Sequence, residues 1–473
     1  MAGEDLNGLT AAAVSFTARH DYGEIPEAAR KLLKRCVLDG LAVALAGSEQ
    51  EIMRIAERHV LGLGGDGQAR LIGHAGCRVS AAQAAFCNGI AGHAMDWDDT
   101  QLAEGPGRPY GLLTHPTIPP LMAALAVADL QGGASGEAFM TAFSAGFEVE
   151  CKIAEAISPD HYNLGFHTSG TIGTFGAAVA AGKLLGLDEA RLAAAIGLAA
   201  SMAAGIRANF GTMGKPMHVG RAAENGVTAA LLAAAGFTGS SDALDGRWGY
   251  LAVAGRGGEP ARVRNRFGAP LSILAPGVSI KPYPCGVLTH PSMDAMAALM
   301  RENGLETGDI ERATLHAGTN ILNPIRFAVA TTDLEGKFCM AFLLAAIAIA
   351  GKAGKAEFSD EFVARDDVQA LQRRITTAFD PAIEAMGFEC IRSRLDVVTR
   401  DGRRFEKWAD ENYRGGPHNP LSDVELEGKF ADCAAGLMEG KQAGRVFDFV
   451  WALERQDDVT AVLDLLDWQG AAA

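Results

Sequence analysis

The chain has no Cys-x-x-Cys pair, no apolar run long enough to cross a bilayer and no excess of positive charge, and each absence removes a class of function. Its eight cysteines, Cys36, Cys77, Cys87, Cys151, Cys285, Cys339, Cys390 and Cys433, are scattered. Most have apolar neighbours, so they read as reduced thiols used as small apolar side chains. The longest apolar stretch, 338–350, falls short of the roughly 20 residues a bilayer requires and reads as a buried helix. The first residues, MAGEDLNGLT, carry Glu4 and Asp5 where a secretory signal would carry basic residues and then an apolar run, so a cytoplasmic location is expected. With 57 acidic residues against 42 Lys and Arg, the net charge is -15. Phosphate backbones and anionic lipid would be approached against that field, so neither nucleic acid nor membrane is expected as a partner.

Several catalytic motifs are missing as well. There is no G-x-x-x-x-G-K-[ST], no G-x-S-x-G and no H-E-x-x-H, which leaves P-loop, α/β-hydrolase and zincin readings without support. The segment GLGGDG at 62–67 satisfies G-x-G-x-x-G. It follows the helically spaced EIMRIAERHVL and precedes the strand-like QARLIG, the reverse of the strand-then-helix order a dinucleotide site needs, so it reads as a loop.

What is present is a folded-protein composition, 48% hydrophobic and 21% charged over 473 residues. From about residue 10 to 265, Ala, Leu and Gly recur at helical period. Ser80 is placed to cap a helix over 81–95, Pro119 and Pro120 suit the first turn of one ending before Gly132, and Pro216 opens another that stops before Gly236. The small residues of 170–186 allow close helix contacts. Past about 270 the text changes to short alternating segments, ERATLHAGTNI from Glu311, RRITTAF from Arg373 and RLDVVTRDGRRFEKW from Arg394, the last with Asp401-Gly402 as a hairpin turn. Helical text returns at 423–438 and 446–466. The expectation is a mainly α protein, with an all-helical domain from 1–269 and 415–473 and a smaller α+β domain at 270–414.

Five constellations can carry chemistry. In His93-Ala-Met-Asp96-Trp-Asp98-Asp99-Thr100, His93 and Asp96 are expected on one helix face. Three carboxylates at the negative end of a helix are unfavourable for stability. The cluster reads as a solvated helix end, as a Mg²⁺ site, or as a site holding one carboxylate protonated or as a proton relay. His115, held extended by Pro116, lies on a loop just before a helix. His167, Thr168 and Ser169 stand where a helix begins, either as an anion-binding cup or as plain caps. Lys215, beside Pro216 at a positive helix end, can pair with a carboxylate or act as a base; His218 reads as a packing or orienting residue. Lys281, Tyr283 and His290 lie in Pro-rich text at the domain change, which reads as a linker or as a second wall of the site.

In this order, NGIAGHAMDWDDT from Asn88, THPTIPPLMAALAVAD from Thr114, GFHTSGTIGTFGAAVAAGKLLGLD from Gly165, GTMGKPMHVGRAAENG from Gly211 and KPYPCGVLTH from Lys281 resemble the MmgE/PrpD family over nearly the whole chain. The resemblance implies a homodimer and a large helical domain built from both chain ends, with a smaller α+β domain folded over it as a lid. It also implies chemistry without metal or organic cofactor on a small carboxylate substrate. The site it implies is Asp96, Thr100, His115, His167, Lys215 and His290. Two departures stand out. The stretch between the D-D-T and H-P segments is long and adds Glu104, Arg108 and Tyr110, with Arg108 a candidate substrate-binding cation. Phe342 stands where many members have Tyr.

The chemistry this implies is proton movement at a carbon α to a carboxylate. The expectation is a cofactor-independent lyase on a di- or tricarboxylate, with dehydration ahead of decarboxylation. Lys215 with Arg108 or Thr100 would clamp carboxylates, His167 or His115 would move the proton, and Asp96 and His290 would orient or donate. The alternatives are an epimerase or isomerase of an amino- or imino-dicarboxylate, a metal-dependent isoprenoid-type helical enzyme, and a noncatalytic carboxylate-binding helical dimer.

Overall fold

The computed structural model describes residues 8–102, 112–387 and 390–468. The chain forms two compact units. One comprises Met1–Gln101, Leu113–Val278 and Asp423–Ala473; the other comprises Leu102–Leu112 and Ser279–Ser422. The protein is mainly α-helical with a small mixed sheet.

In the first unit the helices that shape the site are α1 (Glu27–Ser48), α2 (Glu51–Leu63), α3 (Ala81–Ala94), α4 (Ile118–Leu130), α5 (Gly136–Ile157), α6 (Gly173–Leu184) and α7 (Gly214–Ala234). Their starts follow local chemistry. At α3, Ser80 Oγ accepts from Gln83 N at 3.3 Å while Gln83 Oε1 accepts from Ser80 N at 3.1 Å, a reciprocal capping box. At α4, Pro119 and Pro120 occupy the first turn, where their missing N–H groups cost nothing. Every residue of α4 from Ile118 to Asp129 is buried, as a helix apolar on all sides must be. By contrast α2 buries only Met53, Ala56 and Val60, one stripe, and is a surface helix. A short hairpin, β1 (Ala69–Leu71) and β2 (His74–Val79), joins α2 to α3. The GLGGDG segment ends α2 and turns into this hairpin, a loop as its flanks imply.

Helices α3 and α7 touch through glycine. A Cβ on Gly220 would lie 2.5 Å from the Phe86 carbonyl oxygen, and one on Gly89 would lie 2.8 Å from Gly220 Cα. Any larger residue there would force the two axes apart. This close crossing carries the start of α7 to the chain that leaves α3.

The C-terminal helices are more broken than the sequence suggests. The first, α10 (Asp423–Cys433), stops short because Gly436 takes φ 80°. The segment expected at 446–466 is a helix at Gly440–Trp451, a turn of 3₁₀ helix at Leu453–Arg455 and a short helix at Ala461–Leu465. The helix ends at Trp451, where the Gln456 side chain donates to the Phe449 and Ala452 carbonyls, and the Asp458 carboxylate, accepting from Thr460 N at 2.8 Å, turns the chain before the last short helix.

The second unit holds a four-stranded sheet of β3 (Ile310–Ala317), β4 (Ile375–Phe379), β5 (Ser393–Thr399) and β6 (Arg404–Trp408), in spatial order β4-β3-β5-β6. The β3/β4 pair is parallel; β3/β5 and β5/β6 are antiparallel. Strand β5 alternates, with Ser393, Leu395, Val397 and Thr399 buried. Helices α8 (His290–Asn303) and α9 (Met340–Ala350) pack with the sheet. Gly402, at φ 88°, makes the expected β5–β6 turn. No helix among the described residues is long and apolar enough to cross a membrane.

Candidate active site

The site begins where α3 ends. Met95 closes the helix and Asp96 takes φ 53°, a left-handed conformation costing an Asp on the order of 1 kcal/mol. This corrects the expectation that His93 and Asp96 share a helix face: Asp96 lies beyond the helix, and the reversal sends the three carboxylates to different partners. Asp96 Oδ2 pairs with Lys215 Nζ at 2.8 Å. Asp98 Oδ2 lies 2.8 Å from His93 Nδ1 and 3.3 Å from His115 Nδ1. Asp99 Oδ2 accepts from Thr117 Oγ1 at 2.6 Å. The loop between them is braced from the far end of the chain, for Lys429 on α10 donates to the Trp97 carbonyl at 2.8 Å and pairs with Asp39.

All three acidic groups are buried, but their charge states differ. Burial works to raise Asp98; the N–H groups that His93 and His115 turn toward it outweigh burial and hold the carboxyl well below the usual range. Asp98 is therefore an anion. Burial pushes Asp99 up to about 8 despite its Thr117 hydrogen bonds, so it holds a proton at neutral pH. Glu150, which accepts from Thr114 Oγ1, is raised well above the ordinary range by burial.

The charge on Asp98 fixes the imidazoles. An ionised carboxylate only accepts, so His93 carries its proton on Nδ1. His115 Nδ1 lies 2.8 Å from the Asp99 carbonyl, which also only accepts. His93, neutral, thus presents Nε2 as a lone pair. Burial, the largest cause, takes His93 down to about 3. Burial and then the Lys215 ammonium push His167 well below the usual imidazole value. His167 Nδ1 lies 3.1 Å from His218 Nδ1, so one of that pair donates to the other. His218, on α7, is lowered by burial and by Lys215 and is the hydrogen-bond partner of the His167 ring.

These parts converge. Ring centroids of His93 lie 4.7 Å from His115 and 5.7 Å from His167. One nitrogen from each of the three falls within 4.8 Å of the others. Among the described residues, His93 Nε2, His167 Nε2, Thr100 Oγ1 and Thr168 Oγ1 are buried with no hydrogen-bond partner. Polar atoms so placed are costly unless something binds them. Ser169 does not cap its helix; its Oγ accepts from His115 N at 3.0 Å and positions that histidine. Asp96, Asp98, His93 and His115 also meet the spacing of a metal set. There Lys215 already supplies the cation on Asp96, and a second positive charge beside its ammonium would be repelled.

Of the other residues the sequence singles out, Lys281, Tyr283 and His290 belong to the second unit and group there. The Tyr283 ring lies 5.4 Å from that of His290. The Tyr283 hydroxyl donates to Asp294 at 2.6 Å, so its proton is engaged. His290 opens α8, with Nε2 3.3 Å from the Cys285 carbonyl. Phe342 is fully buried. Arg108 lies outside the described residues. His93 and Asp98 belong to the first constellation singled out in the sequence, but spacing alone gives no sign that they pair, because their meeting depends on the left-handed turn at Asp96.

A helical scaffold that gathers neutral imidazoles and unpartnered hydroxyls beside a lysine has the equipment for moving protons next to an anion. The chain belongs to the MmgE/PrpD family: residues 12–262 match the MmgE/PrpD N-terminal domain and 283–455 the C-terminal domain. It is similar to cis-aconitate decarboxylase of Homo sapiens, 27% identical over 442 residues covering 92% of this chain and 89% of that protein. The Mus musculus cis-aconitate decarboxylase is likewise 27% identical, over 92% of this chain and 88% of its own. That of Aspergillus terreus is 26% identical, over 98% and 96%.

Proposed function

We propose that this chain is a lyase acting on a small di- or tricarboxylate through proton transfer at a carbon α to a carboxylate. The leading form is decarboxylation of an unsaturated tricarboxylate of the cis-aconitate class. The observation that carries this reading is the convergence of His93, His115 and His167 beside Lys215, with unpartnered nitrogens and hydroxyls buried among them. The names of the relatives move decarboxylation ahead of dehydration.

In this reading Lys215 shifts from Asp96 toward a substrate carboxylate, Thr100 and Thr168 donate to further oxygens, and Arg108 adds a second cation. A carboxylate on a carbon next to a C=C bond leaves as CO₂; its bonding pair forms a new C=C bond, and the old π pair moves to the carbon α to another carboxylate. That carbanion is held as an enolate by the cation and the donors and takes one proton. The donor is an imidazolium. Imidazoles kept neutral by burial and by the lysine gain basicity when a polyanion enters, so the substrate raises the proton affinity of the group that will protonate it. His167 and His115 are the candidates, with Nε2 the transferring atom. His290 is assigned by family resemblance, and Lys281 and Tyr283 as substrate-binding residues by their place in the same Pro-rich segment; His290→Ala tests the first of them.

The test is incubation with cis-aconitate, citrate or 2-methylcitrate in D₂O, followed by NMR. The expected result is loss of CO₂ with one deuterium in the product. Water loss would instead assign a dehydratase; exchange without elimination, an epimerase; binding without turnover, a noncatalytic protein. The proposal includes a homodimer. Trp248 and Val253, 79% and 73% exposed, line one cavity and offer a candidate contact face. A monomer mass by light scattering would count against it.

A further inference from the structure

The hairpin that precedes α3 carries a second cluster, sharing no residue with the first. Glu57 on α2 and His74 and Cys77 on β2 each bring a ligand atom within 4.8 Å of the others. Glu57 Oε1 lies 2.8 Å from His74 Nδ1, and the Cys77 sulfur lies within 4.8 Å of both. In a regular strand, residues three apart point to opposite faces. Here Leu71 pairs with His74 and the next partner, Arg70, pairs with Arg78, leaving 75–77 bulged. The bulge turns Cys77 to the side of His74. Gly64 and Gly65, at φ 69° and 124°, reverse the chain between α2 and β1 and lay Glu57 against the hairpin.

We propose that Glu57, His74 and Cys77 form a binding site for one borderline-soft divalent cation, Zn²⁺ in chemistry, with water completing a tetrahedron. One imidazole nitrogen, one sulfur and one carboxylate oxygen suit such an ion and disfavour Mg²⁺ and Ca²⁺, which take oxygen ligands. Cys77 binds as thiolate, its proton passing to solvent, while His74 and Glu57 exchange their mutual hydrogen bond for bonds to the ion. The side chains of His74 and Glu57 are 36% and 22% exposed, which leaves the ion a path from solvent. Once bound, it ties α2 to the strand that leads directly into α3.

The test uses the full chain and CoCl₂ as a spectroscopic probe. Tetrahedral cobalt held by a thiolate shows a sulfur-to-metal charge-transfer band in the near ultraviolet. The imidazole cluster contains no sulfur and cannot produce it. The expected result is a band that saturates near one equivalent, disappears on adding ZnCl₂, persists in MgCl₂ and is absent from Cys77→Ser. The partly exposed variants His74→Ala and Glu57→Gln, checked for native circular dichroism, should bind cobalt on the order of tenfold more weakly. Turnover without added metal should be unchanged in both. No charge-transfer band in the parent protein, or a band that survives Cys77→Ser, overturns the proposal.

Discussion

Asp98 Oδ2 stands 2.8 Å from His93 Nδ1 and accepts a hydrogen bond from it, five residues along the chain and with both side chains buried. The same carboxylate faces His115 at 3.3 Å, so one anion sets the orientation of two bases. Asp98→Asn keeps the shape, but its amide can donate to Nδ1 and turn the wrong nitrogen inward. Turnover should fall by on the order of a hundredfold or more with KM nearly unchanged, and the acid limb of the pH–rate profile should move. A variant with a parental profile would make Asp98 a packing residue only.

Asp99 gives stability a pH dependence of definite sign. Folding raises its pKa from 3.8 to about 8, so the folded chain keeps a proton that the unfolded chain releases, and stability falls as pH rises from about 4 to about 8. His93, lowered from 6.5 to about 3, acts oppositely, with stability falling as pH drops from 6.5 toward 3. Between pH 6.5 and 8 His93 is neutral in the folded state and at most half protonated in the unfolded one, so Asp99 dominates the pair. Urea midpoints at these two pH values should fall less in Asp99→Asn than in the parent. Equal slopes would show that Asp99 folds ionised.

The Lys215–Asp96 pair predicts a separation of stability from activity. Lys215→Met leaves the buried Asp96 charge without its ammonium and should cost about 3–5 kcal/mol in denaturant unfolding. Adding Asp96→Asn should recover much of that stability, a coupling a double-mutant cycle measures directly. Turnover should stay lost in the double variant, since the Lys215 ammonium that the substrate would engage is gone. Recovered turnover would remove Lys215 from the proposed chemistry.

At the α3–α7 crossing, Gly220→Val must push a side chain into space where even a Cβ would lie 2.5 Å from the Phe86 carbonyl oxygen. The expected loss is about 1–3 kcal/mol or more. Activity per folded molecule should fall as well, because Lys215 rides on the displaced helix. A destabilised variant with full specific activity would show that the pair tolerates movement.

Much of the scaffold was legible because its causes are local. Ser80 with Gln83, Pro119 with Pro120, and Asp401-Gly402 each dictate their own few residues of backbone. His115, His167 and Lys215 could be singled out by type and setting. That they meet depends on Gly89 against Gly220, which the sequence presents only as small residues. Asp98 was opaque for another reason: its role follows from one left-handed residue, Asp96, in a conformation that Asp permits and does not require. The C-terminal helix is shorter than its text suggests because side chains intervene: Gln456 takes the Phe449 and Ala452 carbonyls, and Asp458 turns the chain before Ala461.

Lys429, which grips the Trp97 carbonyl and Asp39, has a bearing on biosynthesis. The loop that presents Asp96 and Asp98 emerges from the ribosome early, yet its brace is translated more than three hundred residues later. A nascent chain halted before α10 therefore holds the reactive side chains without the strut beneath them, and catalytic competence should arrive late in translation.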